Sequence, residues 1–137
     1  MELNIELNIL KDAGTRNSMV LIDTSIWVDH FNLGDNNLEY LLNENKVATH
    51  PFVLGELACG NMKNRKLIFT LLNALPSIPE ISKEEFYLFL DQHRLFGIGL
   101  GFIDIHLLAS ALISDCVIYT RDKSLLSSAI KLKIAYK

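Results

Sequence analysis

The sequence lacks most of the features that mark secreted, membrane-spanning or zinc-binding proteins. It contains only two cysteines in 137 residues, which is too few for a disulfide framework. We therefore expect Cys59 and Cys116 to be small buried side chains in a reducing cytosol. No apolar run approaches the ~18 residues that a membrane span needs, and no signal peptide is visible. These absences predict a cytoplasmic protein without a membrane partner.

Zinc and nucleotide motifs are also missing. The four histidines are scattered without zinc-binding spacing, so we interpret them as structural or exposed: His30, His50, His93 and His106. Gly97, Gly99 and Gly101 do not follow a strand and lack the full spacing of a nucleotide-binding loop. We expect these glycines to let the backbone turn tightly in front of a buried helix.

The composition predicts one folded domain rather than a disordered or strongly basic chain. Half of the residues are hydrophobic, 21% are charged, and the net charge is −3. This balance argues against a protein that coats nucleic acid by bulk charge. It leaves room for an enzyme that acts on nucleic acid, because acids gathered in one site can offset a basic rim.

Residues 1–18 differ from the rest of the chain. Their apolar and polar residues alternate with a two-residue period, followed by a polar stretch, and Met19 stands directly before the first buried strand. We predict a domain over residues 19–137. The preceding leader is an upstream start, a cloning remnant or an extra edge strand.

Short apolar runs alternate with helical patterns along the predicted domain. Strands are predicted at residues 20–22, 47–49 and 117–120, with extended segments at 78–79 and 134–136. Three helices are predicted in the first half: from 26 to about 31, after a cap at Asp35 or Asn36, and over 51–59. A fourth begins at the basic cluster of residues 63–66 and stops before Pro76. Three more are predicted from a Ser82–Glu85 capping box to about Phe96, over 103–114, and from Ser124. Trp27 and Phe31 are predicted to pack in the core or a dimer interface, with stacking on RNA bases as the alternative. This alternation predicts an α/β fold around a mostly parallel sheet.

Four acids stand where such a fold brings distant residues together. Asp23 and Asp122 each follow an apolar strand, and the carboxyl ends of parallel strands meet at one edge of a sheet. Asp104 lies in the first turn of the buried helix, on the face that points inward, and Glu56 lies in a short helix after another strand. Each acid alone has an ordinary alternative, as a helix cap, a dipole-favoured acid or a solvated residue.

Taken together, the acids indicate a site for a divalent cation. Carboxylates gathered on one edge repel each other unless a cation neutralises them, and hard oxygen ligands select Mg²⁺ or Mn²⁺. Such an ion suits phosphodiester hydrolysis. Asp23 and Asp104 are the first choices as direct ligands, with Glu56 and Asp122 binding a second ion, holding waters around the ion or helping to deprotonate one. The hydroxyls of Thr24, Ser25 and Thr120 are predicted to hold Asp23 in position, although turn or capping roles are the alternative.

Several motifs identify the chain as resembling the PIN-domain family, in particular the VapC-type toxins of toxin–antitoxin pairs. The matching stretches are VLIDTSIWVDH, HPFVLGELACG, GIGLGFIDIHLLASALI and VIYTRDKSL. The acidic quartet of the family maps onto Asp23, Glu56, Asp104 and Asp122. Its hydroxyl residues match Thr24 and Thr120.

The resemblance implies a three-layer α/β/α fold with a mostly parallel sheet of four or five strands. It also implies a metal-dependent endoribonuclease, usually a homodimer, that a VapB-type antitoxin blocks by laying its tail across the active-site groove. Five basic residues are candidates for contacts with RNA phosphates, with ordinary solvated side chains as the alternative: Lys63, Arg65, Lys66, Arg121 and Lys123.

Two other functions remain open from the sequence. A phosphatase with Asp23 as nucleophile also places an acid after an apolar strand, but phosphatases of the haloacid-dehalogenase type need a second Asp where this chain has Ser25. A catalytically inactive PIN-like binding module would usually have lost one of the acids, and none is lost here.

Overall fold

The structure is a computed structural model that describes residues 19–137. The predicted leader, residues 1–18, lies outside the described residues. Within 19–137 the elements follow in the order β1 (Val20–Ile22), α1 (Thr24–Leu33), α2 (Asn36–Asn43), β2 (Val47–Ala48), α3 (Pro51–Cys59), α4 (Arg65–Asn73), α5 (Lys83–Gln92), α6 (Phe102–Ile113), β3 (Val117–Tyr119) and α7 (Lys123–Lys131).

The sheet is parallel, with β1 between β2 and β3. All three residues of β1 are buried, which is why this strand is an unbroken apolar run in the sequence. A single parallel bridge joins Thr49 to Ser77 beyond β2, and another joins Ile118 to Ala135 beyond β3. The described sheet thus has three strands, and a single bridged residue extends it on each side. Ser77 lies next to the predicted extended segment at 78–79, and Ala135 lies within the one predicted at 134–136.

Helix α6 supplies much of the core. Residues 105–111 of this helix are all buried, and the helix packs against α5, β3 and α7. On α1, Trp27 is 3% exposed and stacks against Phe31 with ring centroids 5.8 Å apart, so the predicted core packing is confirmed for Trp27. The alternation of strands and helices gives the predicted α/β fold.

Local capping signals were predicted well. Ser82 Oγ accepts a hydrogen bond from the Glu85 N–H at 3.1 Å, and Glu85 Oε1 accepts one from the Ser82 N–H at 2.8 Å, which confirms the capping box. Asp35 Oδ1 accepts from the Leu38 N–H at 2.8 Å and so caps α2. Gly97 and Gly99 adopt positive φ angles of 70° and 90°, as expected of a tight turn before α6.

Some predicted boundaries and one burial prediction were wrong. Helix α5 ends at Gln92 rather than near Phe96, because Arg94 adopts a positive φ of 52° that breaks the helix. Helix α1 begins two residues earlier than predicted and continues to Leu33. Cys116 is buried as predicted, but Cys59 is exposed because it lies in the last turn of α3 on the solvent side.

None of the helices found between residues 19 and 137 is both long and apolar enough to pass through a membrane.

Truncation of a core residue of α6 tests this packing. Leu108 is 0% exposed, whereas Ile113 in the last turn of the same helix is 60% exposed. We expect Leu108→Ala to lower the free energy of unfolding by about 2–5 kcal/mol in chemical denaturation. The control, Ile113→Ala, should change it by less than about 0.5 kcal/mol. Similar losses for both variants would contradict the described packing of α6.

Candidate active site

Asp23 lies at the carboxyl end of the central strand, where its side chain is held by two hydroxyls. The residue is 7% exposed, and its backbone N–H continues the pairing with β3 by donating to the Tyr119 carbonyl at 2.9 Å. Asp23 Oδ2 accepts hydrogen bonds from Ser25 Oγ at 2.9 Å and from Thr120 Oγ1 at 2.7 Å. Ser25 and Thr120 therefore orient this carboxylate, in the geometry expected of the roles predicted for them.

Thr120 also connects Asp23 with Asp122. The Thr120 hydroxyl oxygen accepts a hydrogen bond from the Asp122 N–H at 3.0 Å while donating to Asp23. The turn after β3 is thus tied to the turn after β1. Two acids almost a hundred residues apart come to the same edge of the sheet because the two strands that precede them pair in parallel.

Glu56 is exposed on α3, and its partner differs from the prediction. Glu56 Oε1 accepts a hydrogen bond from Thr24 Oγ1 at 2.6 Å. The prediction that Thr24 holds Asp23 is therefore corrected, because its hydroxyl points to the carboxylate of α3 instead. Through this bond the first residue of α1 joins α3 to the edge that carries Asp23.

Asp104 and Asp122 both accept hydrogen bonds from backbone N–H groups at the starts of their helices. Asp104 Oδ2 accepts a hydrogen bond from the Gly101 N–H at 3.1 Å, at the start of α6. Asp122 Oδ1 accepts one from the Leu125 N–H at 2.9 Å, at the start of α7. The capping roles that the sequence left open are therefore present, and each uses only one oxygen of its carboxylate.

Each of the four acids shows the same division between its two oxygens. One oxygen is fixed by a hydrogen bond, and within residues 19–137 the other makes none. The free atoms are Asp23 Oδ1, Glu56 Oε2, Asp104 Oδ1 and Asp122 Oδ2. An anchored carboxylate with one free oxygen is oriented in advance for a ligand.

The carboxyl of Asp104 is influenced by the charges of two of the other acids. Burial raises the pKa of the Asp104 carboxyl, the Gly101 N–H lowers it, and the charges of Asp122 and Asp23 raise it further. The balance is a pKa above the usual value. Negative charge in this region is therefore incompletely compensated by the residues around Asp104.

The chemistry of the four carboxylates suits a hard divalent cation, but the arrangement of the described residues does not by itself form a complete ion site. In the part of the chain from residue 19 onward, no three Asp, Glu, His or Cys side chains are arranged to hold an ion. The donors at this edge are all carboxylate oxygens, which Mg²⁺ and Mn²⁺ prefer and zinc sites seldom use alone. The side chains His50 and His106 lie buried in the interior, and the first bonds Ser110 Oγ at 3.0 Å.

A cleft runs beside Glu56 between α1, α3 and the start of α4. Its volume is about 670 Å³. Thr24 and Glu56 lie on one side, and Lys63 lies on the rim. The walls include the apolar side chains of Val28, Phe31, Met62 and Ile68. Of the five candidate RNA contacts, Lys63 is the one that lines this cleft, and Glu56 is the one of the four acids that lines it.

Two of the candidate RNA contacts have structural partners. Arg65 donates hydrogen bonds to the carbonyl oxygens of Ala58 at 2.5 Å and Gly60 at 3.1 Å, so its guanidinium caps the end of α3. Arg121 pairs with Asp29 and Asp35. Lys66 and Lys123 are exposed. Asp29 was not predicted as a partner and Asp35 was predicted only as a helix cap, since no local pattern links either residue to Arg121.

Removing the charge of Asp104 tests whether the ionised carboxylate destabilises the folded protein. A carboxyl whose folded-state pKa is raised destabilises the folded state when it is ionised, so this cost is present at neutral pH and fades as pH falls through that pKa. We expect Asp104→Asn, which keeps an acceptor for the Gly101 N–H, to raise the melting temperature at pH 7 in metal-free buffer. The gain should not exceed about 1 kcal/mol, or roughly 4 °C.

The same melting experiment at about pH 3, below the ordinary aspartate pKa of ~3.9, should show no gain, because the Asp104 carboxyl is then largely protonated in both the folded and the unfolded state. The matched control is Asp91→Asn, an exposed acid on α5. A clear loss of melting temperature in Asp104→Asn at pH 7 would mean that Asp104 is needed for folding itself.

Comparisons with known proteins agree on one family. The model of the PIN domain matches residues 20–131. The chain is 36% identical over 118 residues to "Ribonuclease VapC32" from two strains of Mycobacterium tuberculosis, covering 85% of this chain and 95% of the relative. It is similar in fold to the crystal structure of PAE2754 from Pyrobaculum aerophilum, with a TM-score of 0.60 and 17% identity, over 88% of this chain and 89% of the other. The chain therefore belongs to the PIN-domain family and, within it, to the VapC-type proteins.

Proposed function

We propose that this protein is a Mg²⁺-dependent endoribonuclease that acts as the toxin of a toxin–antitoxin pair. The observation that carries the proposal is the set of four anchored carboxylates, each with one oxygen free. The relative of 36% identity is named as a ribonuclease, which supports the same activity. Mn²⁺ is the alternative ion, because it accepts the same oxygen ligands.

In this proposal Asp23 and Asp104 bind the ion directly, while Glu56 and Asp122 complete the site. When bound, such an ion would supply a lowered pKa to a water molecule and neutralise charge on the scissile phosphate. Glu56, exposed and with Oε2 free, accepts the proton of the attacking water. Ser25 and Thr120 hold Asp23 in orientation, and Thr24 does the same for Glu56.

The RNA lies along the cleft beside Glu56, where Lys63 on the rim contacts a phosphate. Lys66 and Lys123 are exposed and extend the path on the two sides of the site. Arg65 and Arg121 contribute less to phosphate binding, since their guanidinium groups already bond to carbonyl oxygens and to carboxylates.

The partners proposed here follow the VapC-type family. A VapB-type antitoxin blocks the enzyme by placing its tail in the 670 Å³ cleft, whose apolar walls and acidic side suit a peptide with apolar and basic residues. The enzyme acts as a homodimer in the cytoplasm. Exposed apolar side chains on α4 and α5, among them Leu67, Leu71 and Leu88, are consistent with such an interface.

Neutralising either proposed ligand tests the activity. We expect Asp23→Asn and Asp104→Asn to lower kcat/KM on a panel of RNAs by at least about 100-fold with Mg²⁺ or Mn²⁺. The reason is that mutating residues which merely orient metal ligands already lowers metal affinity or activity about 10- to 100-fold. Cleavage is followed on gels. The control is Asp91→Asn, which makes the same loss of charge at an exposed position.

Undiminished cleavage by either variant would remove that residue from the mechanism. A folded wild-type protein that binds RNA but cleaves none of the panel in either ion would favour the inactive binding module. A stable phospho-aspartate at Asp23 would favour the phosphatase alternative.

The proposed contact between Lys63 and an RNA phosphate can be tested by how RNA affinity depends on salt concentration. We expect Lys63→Ala to raise KM for RNA several-fold with kcat unchanged, and to reduce the slope of log affinity against log salt by about 1. Lys131→Ala, at the far end of α7, is the control and should leave both unchanged. An unchanged salt slope in Lys63→Ala would place the RNA elsewhere.

A further inference from the structure

A buried carboxylate outside the acidic edge is bound to the turn that carries Thr120 and Asp122. Asp35 is 5% exposed, yet it lies in the loop between α1 and α2. Tyr119 Oη donates to both of its oxygens, at 3.0 and 3.1 Å, and Arg121 Nη2 forms an ion pair with Oδ2. Tyr119 and Arg121 flank Thr120 in the sequence. Asp35 therefore binds the residues on both sides of Thr120, which itself orients Asp23.

Arg121 also connects the loop after β3 to α1 through two contacts. Its guanidinium Nη1 bonds Asp29 Oδ2 at 2.9 Å, and its backbone N–H donates to Ser25 Oγ at 3.2 Å. Ser25 and Asp29 are four residues apart and therefore lie on the same face of α1. The Ser25 hydroxyl that accepts from Arg121 is the one that donates to Asp23. An unbroken series of contacts thus leads from Asp35 through Arg121 and Ser25 to Asp23.

We propose that Asp35 is a positioning residue for the active site. Its ion pair with Arg121 fixes the turn after β3 against the start of α1, so that Ser25 and Thr120 hold Asp23 in the orientation needed for catalysis. Asp35 itself does not touch the substrate or the ion. This inference rests on the proposed nuclease function, and it gives Arg121 a role different from the RNA contact that the sequence suggested.

The burial of Asp35 gives the ion pair its strength. Burial raises the pKa of the Asp35 carboxyl, but hydrogen bonds from Arg121, from the Leu38 N–H and from Tyr119 outweigh it and hold the pKa below its usual value. The carboxylate side chain is only 4% exposed, although the arginine side chain is 46% exposed. A pair with one buried partner is screened less by solvent than an exposed pair, and losing one partner leaves the other uncompensated.

The variant Asp35→Asn tests the proposal, because it keeps an oxygen to cap α2 at Leu38 and removes the charge that Arg121 needs. We expect kcat per folded molecule to fall roughly tenfold, the low end of the range for groups that act through a metal ligand's neighbours. KM for RNA should stay within about twofold, and a higher Mg²⁺ concentration should be needed for half-maximal activity.

A second measurement does not depend on activity. In hydrogen exchange, the amides of Arg121 and Asp122, which donate to Ser25 Oγ and Thr120 Oγ1, should exchange about tenfold faster in Asp35→Asn. Amides in α6 should keep their wild-type rates. A general loss of stability would instead accelerate exchange in both places.

Two further variants separate this role from RNA binding. Asp29→Asn removes the exposed partner of Arg121 and is the control, with kcat expected within about twofold of wild type. Arg121→Gln should lower kcat as Asp35→Asn does, and the double variant should be no worse than Arg121→Gln alone, because both remove one interaction. If Arg121 instead contacts phosphate, Arg121→Gln raises KM and lowers the salt slope.

The outcomes distinguish the positioning role from the nuclease function. Unchanged exchange at Arg121 and Asp122 in Asp35→Asn overturns the proposal whatever the activity. Faster exchange with unchanged kcat overturns the connection to the active site. If the wild type cleaves no RNA, the nuclease function fails, while faster exchange at these two amides together with weaker Mn²⁺ binding in Asp35→Asn would still support the positioning role.

Discussion

Negative side chains collected at the carboxyl edge of a buried parallel sheet are the constraint on which the rest of the site depends. The partners that orient them are neutral: hydroxyls for Asp23 and Glu56, and backbone N–H groups for Asp104 and Asp122. Neutral donors fix a carboxylate without cancelling its charge. The edge is thereby kept both oriented and negative, which is the combination that a cation site requires.

The arginines near this edge are directed elsewhere. Arg121 is adjacent to Asp122 in sequence, yet its guanidinium reaches Asp29 and Asp35 on the far side of the turn. Arg65 bonds carbonyl oxygens at the end of α3. A guanidinium pairing with Asp23 or Asp122 would compete directly with a dication. In the role proposed for it, Asp35 holds the turn after β3 and also occupies the guanidinium of Arg121, which therefore does not pair with the neighbouring acids.

Sequence reasoning reached the features that depend on local patterns. The apolar runs before Asp23 and Asp122 predict parallel strands with acids at one edge, and the Ser82–Glu85 spacing predicts a capping box. It missed the features that depend on long-range side-chain geometry. The Thr24–Glu56 bond spans 32 residues and the Arg121–Asp35 pair spans 86. No periodicity encodes either contact, because each depends on how two helices or turns meet in the folded chain.

The same acids that make the site also make it a poor place for RNA without an ion. A phosphate brought to four carboxylates meets repulsion from each of them, and the chain as a whole carries a net charge of −3. Lys63 on the cleft rim offsets only part of this. In the proposed mechanism, a dication at the free oxygens would offset this repulsion where the phosphate would lie. Under the proposed function, productive RNA binding and catalysis would therefore depend on the same ion, and a variant that disturbs the orientation of the acids would affect turnover before it affected the proposed lysine contacts.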